Sequence, residues 1–285
     1  MTVGFLFIGP LVMGLLVIER AGRDRQVPVW QWFVLPCLAA ILTCAAAMLL
    51  LLEGAICIVF ALPVMLVTAM IGGVTAGLMQ RKDYRLSRNT TYCLAIVPIL
   101  IAFTEPHVGT PDQTRTVTSD IRIHAPASIV WDNIKTVPAI APSELRPNWT
   151  HRIGFPRPIE ATLSFEGVGG IRHATFERGV LFIETVNDWE PEHRLAFSIR
   201  ADSANIPPAT LDEHVTIGGR YFDVLNGEYR LEPLPAGDIL LHLTSHQRLS
   251  TDFNGYAGLW TDAVMQSLQT SILQVIQHRC EAGTK

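Results

Sequence analysis

Charge is nearly missing from the long apolar runs between residues 2 and 103, whereas charged residues recur regularly after residue 105. The formal net charge of −4 is therefore an average over two different solvents. No basic stripe and no base-stacking motif occurs, which excludes a nucleic-acid partner. Cysteine is scarce where it could crosslink. Cys37, Cys44, Cys57 and Cys93 lie in apolar runs, and Cys280 alone lies in the charged part. A single thiol closes no internal disulfide there, and no CxxC or Cys/His cluster suggests zinc. Cysteines inside apolar helices read as small hydrophobes. No histidine and carboxylate pair shows metal-ligand spacing, and Ser203, Ser245 and Ser250 lack a GxSxG context. Neither a metal nor a cofactor is expected.

What is present in the first part is hydrocarbon. A spanning helix needs about 20 apolar residues to cross roughly 30 Å. Residues 29–52 and 54–79 meet this and form a hairpin about Glu53, while residues 2–18 and 90–104 supply two shorter candidates. The first lacks a positive n-region and a small-residue cleavage pattern, so it reads as a retained helix rather than a signal peptide. Glu53, the one candidate for an intramembrane ionisable group, sits at a hairpin tip where it is solvated, so the helices read as an anchor, and Gly72, Gly73 and Gly77 suggest close helix packing. Arg20, Arg23 and Arg25 in the first loop, and Arg81, Lys82, Arg85 and Arg88 in the third, place those loops in the cytoplasm. With four spans the following domain lies outside, in the periplasm if the membrane is a bacterial inner membrane. If residues 92–103 only lie in the interface, the domain is cytoplasmic.

After a Pro- and Gly-containing linker at residues 105–115, the pattern becomes β-like. Residues 116–124 alternate, with Val117, Ser119, Ile121 and Ile123 on one side. Pro126 then suits the first turn of a short helix, and residues 138–145 read as a second short helical or irregular piece. Strands are expected at 161–166, 171–178, 180–189, 195–200, 221–231 and 239–249, with turn-type separators between neighbours. Residues 201–219 hold Pro207 and Pro208 and form a long loop or lid. From 256 to 278, Leu259, Trp260, Ala263, Val264, Leu268, Ile272, Val275 and Ile276 recur at helical spacing, and Asn254 or Asp252 can cap that helix. The fold class is α+β: about four transmembrane helices, then an antiparallel sheet with one long C-terminal helix.

That order, with residues 121–131 (IRIHAPASIVW), Gly170-Ile171-Arg172, Thr175-Phe176-Glu177-Arg178-Gly179, Glu184, Trp189-Glu190-Pro191, His193-Arg194-Leu195, Leu259-Trp260 and residues 276–279, resembles the helix-grip domains of the START/polyketide-cyclase (SRPBCC) superfamily. The resemblance covers about residues 116–280. It implies a cavity between sheet and helix that holds a lipid or other hydrophobic small molecule.

Candidate cavity residues are Arg172, Glu184, His214, Gly227, Tyr229 and Trp260. Leu225, Gly227, Tyr229 and Leu231 form the expected inward set of their strand, with Gly227 leaving room and Tyr229 offering a hydroxyl. Arg172 and Glu184 on neighbouring strands are either a buried pair meeting a polar head group or an ion pair at the rim. His242 and His246 fall on the polar, solvent-facing side of their strand, while His173 and His214 are further cavity candidates. Trp260 is either core or a gate facing the loop at Pro207-Pro208. A membrane-tethered binding protein, a cyclase- or aromatase-type enzyme and an interaction subunit with an unidentified protein partner are the three readings. Inward titratable groups with shifted pKa values distinguish the enzyme.

Overall fold

In a computed structural model the chain is described at residues 3–23, 26–50, 54–82, 84, 86–105, 109–202 and 217–282. It divides into two compact units, Met1–Thr110 and Pro111–Lys285. Glu53 and His214 lie outside the described residues, as does most of the expected lid.

The first unit is helical. A π-helical turn at Gly4–Ile8 runs into α1 (Gly9–Ala21), followed by α2 (Gln31–Leu49), α3 (Ala55–Arg81) and α4 (Arg88–Thr104). Three helices, Gly4–Ala21, Gln31–Leu49 and Ile56–Arg81, are long and apolar enough to cross a membrane. The fourth carries a shorter apolar stretch, Asn89–Ile101. Glycine sets how closely these helices approach. A Cβ on Gly72 would stand 1.9 Å from the Leu11 carbonyl oxygen, and one on Gly14 2.0 Å from that of Ala69, so α1 and α3 meet backbone to backbone. Gly73 and Gly77 admit Trp32 of α2 in the same way, its carbonyl oxygen and its ring each 2.2 Å from the missing Cβ. The Trp32 indole N–H donates to the Val27 carbonyl at 3.1 Å.

One ionisable group departs from expectation. Glu19, which directly follows the first apolar run at residues 2–18, lies inside α1 and is only 5% exposed. Its Oε1 accepts from the Leu86 N–H at 3.3 Å, while Oε2 has no hydrogen-bond partner among the described residues. The apolar run alone hid it, because α1 continues to Ala21.

The second unit is a seven-stranded sheet ordered β1-β7-β6-β5-β4-β3-β2. Its strands are β1 (Asp112–Ile123), β2 (Pro158–Leu163), β3 (Ile171–Phe176), β4 (Leu181–Glu190), β5 (Arg194–Asp202), β6 (Phe222–Pro233) and β7 (Ile239–Ser250). Every neighbouring pair is antiparallel. β1 begins at Asp112, inside the stretch expected to be linker. The expected turns close the hairpins: Arg178 and Gly179 take φ of 60° and 77° between β3 and β4, and Glu192 takes 63° between β4 and β5. Bulges at Val186/Asp188 of β4 and Val224/Asn226 of β6 add one residue to one side of each ladder and bend the strands.

Two short helices, α5 (Ala127–Lys135) and α6 (Trp149–Arg152), precede β2, and α7 (Asn254–Ala282) ends the domain. The arrangement is α+β and helix-grip: an antiparallel sheet with one long helix packed against it. Val130, Trp131 and Ile134 of α5 and Leu273, Ile276 and Cys280 of α7 share one apolar core with Leu195, Leu231, Leu241 and Leu243 of the sheet. Residues 138–145 are irregular, and Arg279 of α7 holds them. Its guanidinium donates to Glu144 Oε1 at 2.6 Å and to the Pro138 and Ala139 carbonyls at 3.0 Å each. α6 was not expected; the Asn148 side chain starts it by accepting from the Thr150 N–H at 3.1 Å. Asn254 Oδ1 accepts from the Thr251 N–H at 2.8 Å at the start of α7.

The buried face of α7 differs from the expected apolar stripe. Leu259 is 67% exposed, while Gly258, Gln269 and Ser271 are buried beside Val264, Leu273, Val275 and Ile276. Polar side chains of the first half of α7 meet polar groups on the sheet, so hydrophobicity alone does not mark which face turns inward.

Candidate functional site

The inward face of β3, β4 and β6 carries a charged cluster inside an otherwise apolar surface. Alternation turns Arg172 and Ala174 inward on β3, and the ladder sets Arg172 directly opposite Glu184 on β4. Both are buried, at 4% and 6% exposure, and the Arg172 guanidinium donates to Glu184 Oε2. The rim alternative for this pair is thereby excluded. Tyr229 of β6 is also buried and turns its hydroxyl to the same guanidinium. Between them stands Phe197 of β5, its ring 5.7 Å from the guanidinium carbon and 6.1 Å from the Tyr229 ring. A cation over an aromatic face is attracted by the ring quadrupole. Arg172 Nε is buried and has no hydrogen-bond partner among the described residues.

Burial raises the carboxyl of Glu184 above the usual carboxylate range, with Arg172 pulling the other way. Burial also opposes the charge of Arg172, but Glu184 and Tyr229 outweigh it and hold the guanidinium firmly protonated. Burial raises the Tyr229 hydroxyl as well. The cluster therefore places titratable groups with shifted affinities for protons on the inner face.

Two features of β6 differ from the sequence reading. The bulge at Val224/Asn226 shifts the strand's phase, so Val224 rather than Leu225 joins Gly227, Tyr229 and Leu231 in the buried set. Gly227 does leave room, but Phe197 fills it: a Cβ there would stand 2.7 Å from the ring. Gly227 thus serves the aromatic that supports Arg172.

The remaining candidates separate. His173 is exposed, on the opposite face of β3 from Arg172, and so is not a cavity residue. His242 and His246 lie on the less buried face of β7, as their alternation predicts. There they meet Glu232 and Thr116, at 3.1 Å and 2.8 Å. Trp260 is half-buried and stacks edge-on with Tyr256, ring centroids 6.4 Å apart. Cys280 is buried, and burial pushes its thiol up to about 12, which leaves it unreactive at neutral pH. Among the described residues, no group of three or more His, Cys, Asp or Glu is placed to hold a metal.

A second polar seam, which the sequence reading missed, joins the first half of α7 to β1 and β7. Arg115 pairs with Asp262 at 2.5 Å, and Gln247, fully buried, donates to the same carboxylate at 3.0 Å. Gln269 accepts from Ser119 at 2.8 Å and donates to Ser245 at 2.9 Å and to the Val117 carbonyl at 3.1 Å. Ser245 and Gln247 fall in phase with the inward Leu241 and Leu243. That phase was a signal available in the sequence. Gln247 Oε1 has no hydrogen-bond partner among the described residues.

No family model and no curated protein matches the sequence. Among solved structures the chain is similar to Zhui aromatase/cyclase from Streptomyces sp. R1128, at 17% identity over 61% of this chain and 97% of that one, with a TM-score of 0.39. It is similar to a START superfamily protein from Mycobacterium smegmatis at 10% identity over 59% and 97%, TM-score 0.38. Truncated norcoclaurine synthase from Thalictrum flavum is similar at 13% identity over 60% and 94%, TM-score 0.37.

Proposed function

We propose that this protein is a membrane-tethered binder: the second unit holds a lipid or other hydrophobic small molecule between its sheet and α7, and the helical unit anchors it. The Arg172–Glu184–Tyr229 cluster carries the reading. Holding β3 to β4 does not require buried charge, since an apolar pair of similar volume is often as stabilising or more so. A buried arginine with one N–H unmatched among the described residues suits a ligand whose polar end accepts a hydrogen bond. The ligand's end is an uncharged acceptor, because Glu184 already neutralises the guanidinium. The loop charges favour an extracytoplasmic position for this unit, and a tether raises its effective concentration at the bilayer.

Native mass spectrometry of the full chain released from detergent micelles, beside an Arg172→Met/Glu184→Leu double variant, tests this. The expected result is a defined apolar adduct on the wild type that the double variant loses while its unfolding temperature stays the same or rises. A wild type that carries no adduct and takes up neither lipid nor hydrophobic dye would leave the interaction-subunit reading in its place.

The raised affinities of Glu184 and Tyr229 for protons favour a second reading, a cyclase- or aromatase-type enzyme using the same cluster as acid and base. A Tyr229→Phe variant separates the two: a carrier keeps its ligand unaltered, whereas an enzyme binds it and stops converting it.

A further inference from the structure

The first unit is tied together at both ends of its first helix and left open between the ties. At one end the Gly4 N–H donates to the Glu105 carboxylate, at 3.2 Å and 3.3 Å to its two oxygens. At the other, the Leu86 N–H donates to Glu19. The α1 and α4 segments therefore run antiparallel and are clipped at their termini. Between the clips α4 presents Ala95 and Pro98, which are too small to fill the space. A crevice of about 600 Å3 remains, bounded by Val12, Leu16 and Arg20 of α1, Leu35 of α2, and Ala95 and Pro98 of α4. A second, of about 410 Å3, shares Gly9, Met13 and Pro98 with it and continues to Phe103. The two form one apolar slot along α1.

Three observations identify an occupant. Each volume falls in the range of about 300–1,000 Å3 found for sites that hold small ligands. The segment Gly4–Ala21 has 18 residues, about 27 Å of helix against roughly 30 Å of hydrocarbon, so the slot runs along most of one bilayer thickness. Arg20 at its end is exposed, and among the described residues no carboxylate pairs with it; at the end of a helix that spans the hydrocarbon it would stand at headgroup depth. An apolar slot closed by a cation that no described carboxylate pairs with is complementary to a chain with an anionic head. We infer that the slot holds one acyl chain of an anionic phospholipid, with the lipid phosphate on Arg20. This site is separate from the one in the second unit.

The test is native mass spectrometry of the full-length protein in detergent micelles, with phosphatidylglycerol or phosphatidylcholine added at equal concentration. The wild type is expected to retain phosphatidylglycerol in preference to phosphatidylcholine. Arg20→Gln is expected to lower that retention about fivefold, the effect of one basic residue near an anionic lipid. Ala95→Phe, which fills the crevice from an exposed position, is expected to lower retention of both lipids. Equal retention of the two lipids by the wild type overturns the proposal, as does an unchanged preference in Arg20→Gln or unchanged retention in Ala95→Phe. Loss of phosphatidylglycerol in the Arg172→Met/Glu184→Leu variant also overturns it, since the lipid would then sit in the second unit.

Discussion

The two units of this chain solve the packing problem in opposite ways. The helical unit has almost no charge to hide and gains contact by removing side chains: Gly14 and Gly72 let α1 and α3 touch through backbone atoms. Two of its polar ties, Gly4 to Glu105 and Leu86 to Glu19, sit at helix ends. The second unit packs large side chains and carries ions inside: Arg172 and Glu184 are about as buried as the core residue Leu243. In hydrocarbon, association depends on close approach, because lipid is as apolar as a helix surface. In water, a core forms from apolar area alone, and a buried charge stands out as a feature that stability does not require.

The comparison is broken most severely at Glu184. Replacing it with Gln leaves Arg172 charged, buried and short of its partner, and should cost about 3–5 kcal/mol of unfolding free energy. The Arg172→Met/Glu184→Leu double variant should recover that loss, as denaturant titration of the two variants beside the wild type will show. Next is the helical unit. Gly72→Leu drives a side chain into the Leu11 carbonyl and should lower stability in detergent by about 1–3 kcal/mol, read by thermal unfolding.

A smaller effect depends on pH. The Arg279 hydrogen bond holds the Glu144 carboxyl below the usual carboxylate range. The folded value is thus the lower one, so this contribution is complete above the ordinary glutamate pKa and is lost as pH falls through and below it. Acid titration of stability should show a wild-type advantage over Glu144→Gln of about 1 kcal/mol at neutral pH that vanishes in acid. Smallest is Gly258→Ala. Alanine in a helix ordinarily gains about 1 kcal/mol, but a Cβ here would stand 2.6 Å from the Arg115 guanidinium and displace it from Asp262. Chemical denaturation should therefore show a gain well short of the usual one.

Much of this was legible in the residues. Strand alternation in β1 and β7 turned inward the side that is buried, and the Arg172 and Glu184 pairing followed from two adjacent strands with a tight turn between them. What was not legible depends on phase and on partners. A single extra residue at the β6 bulge exchanged Leu225 for Val224, because a strand's two faces alternate every residue and an insertion swaps them. The inward face of α7 escaped the apolar pattern, since Gln269 is buried by hydrogen bonds to Ser119 and Ser245 that lie far away in sequence. Gly227 read as empty space because the ring that fills it belongs to the neighbouring strand. Glu19 read as the end of a span because composition does not show where a helix stops.

The most direct test of the central claim is photocrosslinking of the full-length protein in membranes with a lipid bearing a mid-chain diazirine, mapped by peptide mass spectrometry. Labels on the inner face of the second unit, near Phe197, Ile199 and Tyr229, are the expected result, and they should fall away in the Arg172→Met/Glu184→Leu variant. Labels confined to the helical unit, with none between Asp112 and Ala282, would contradict it.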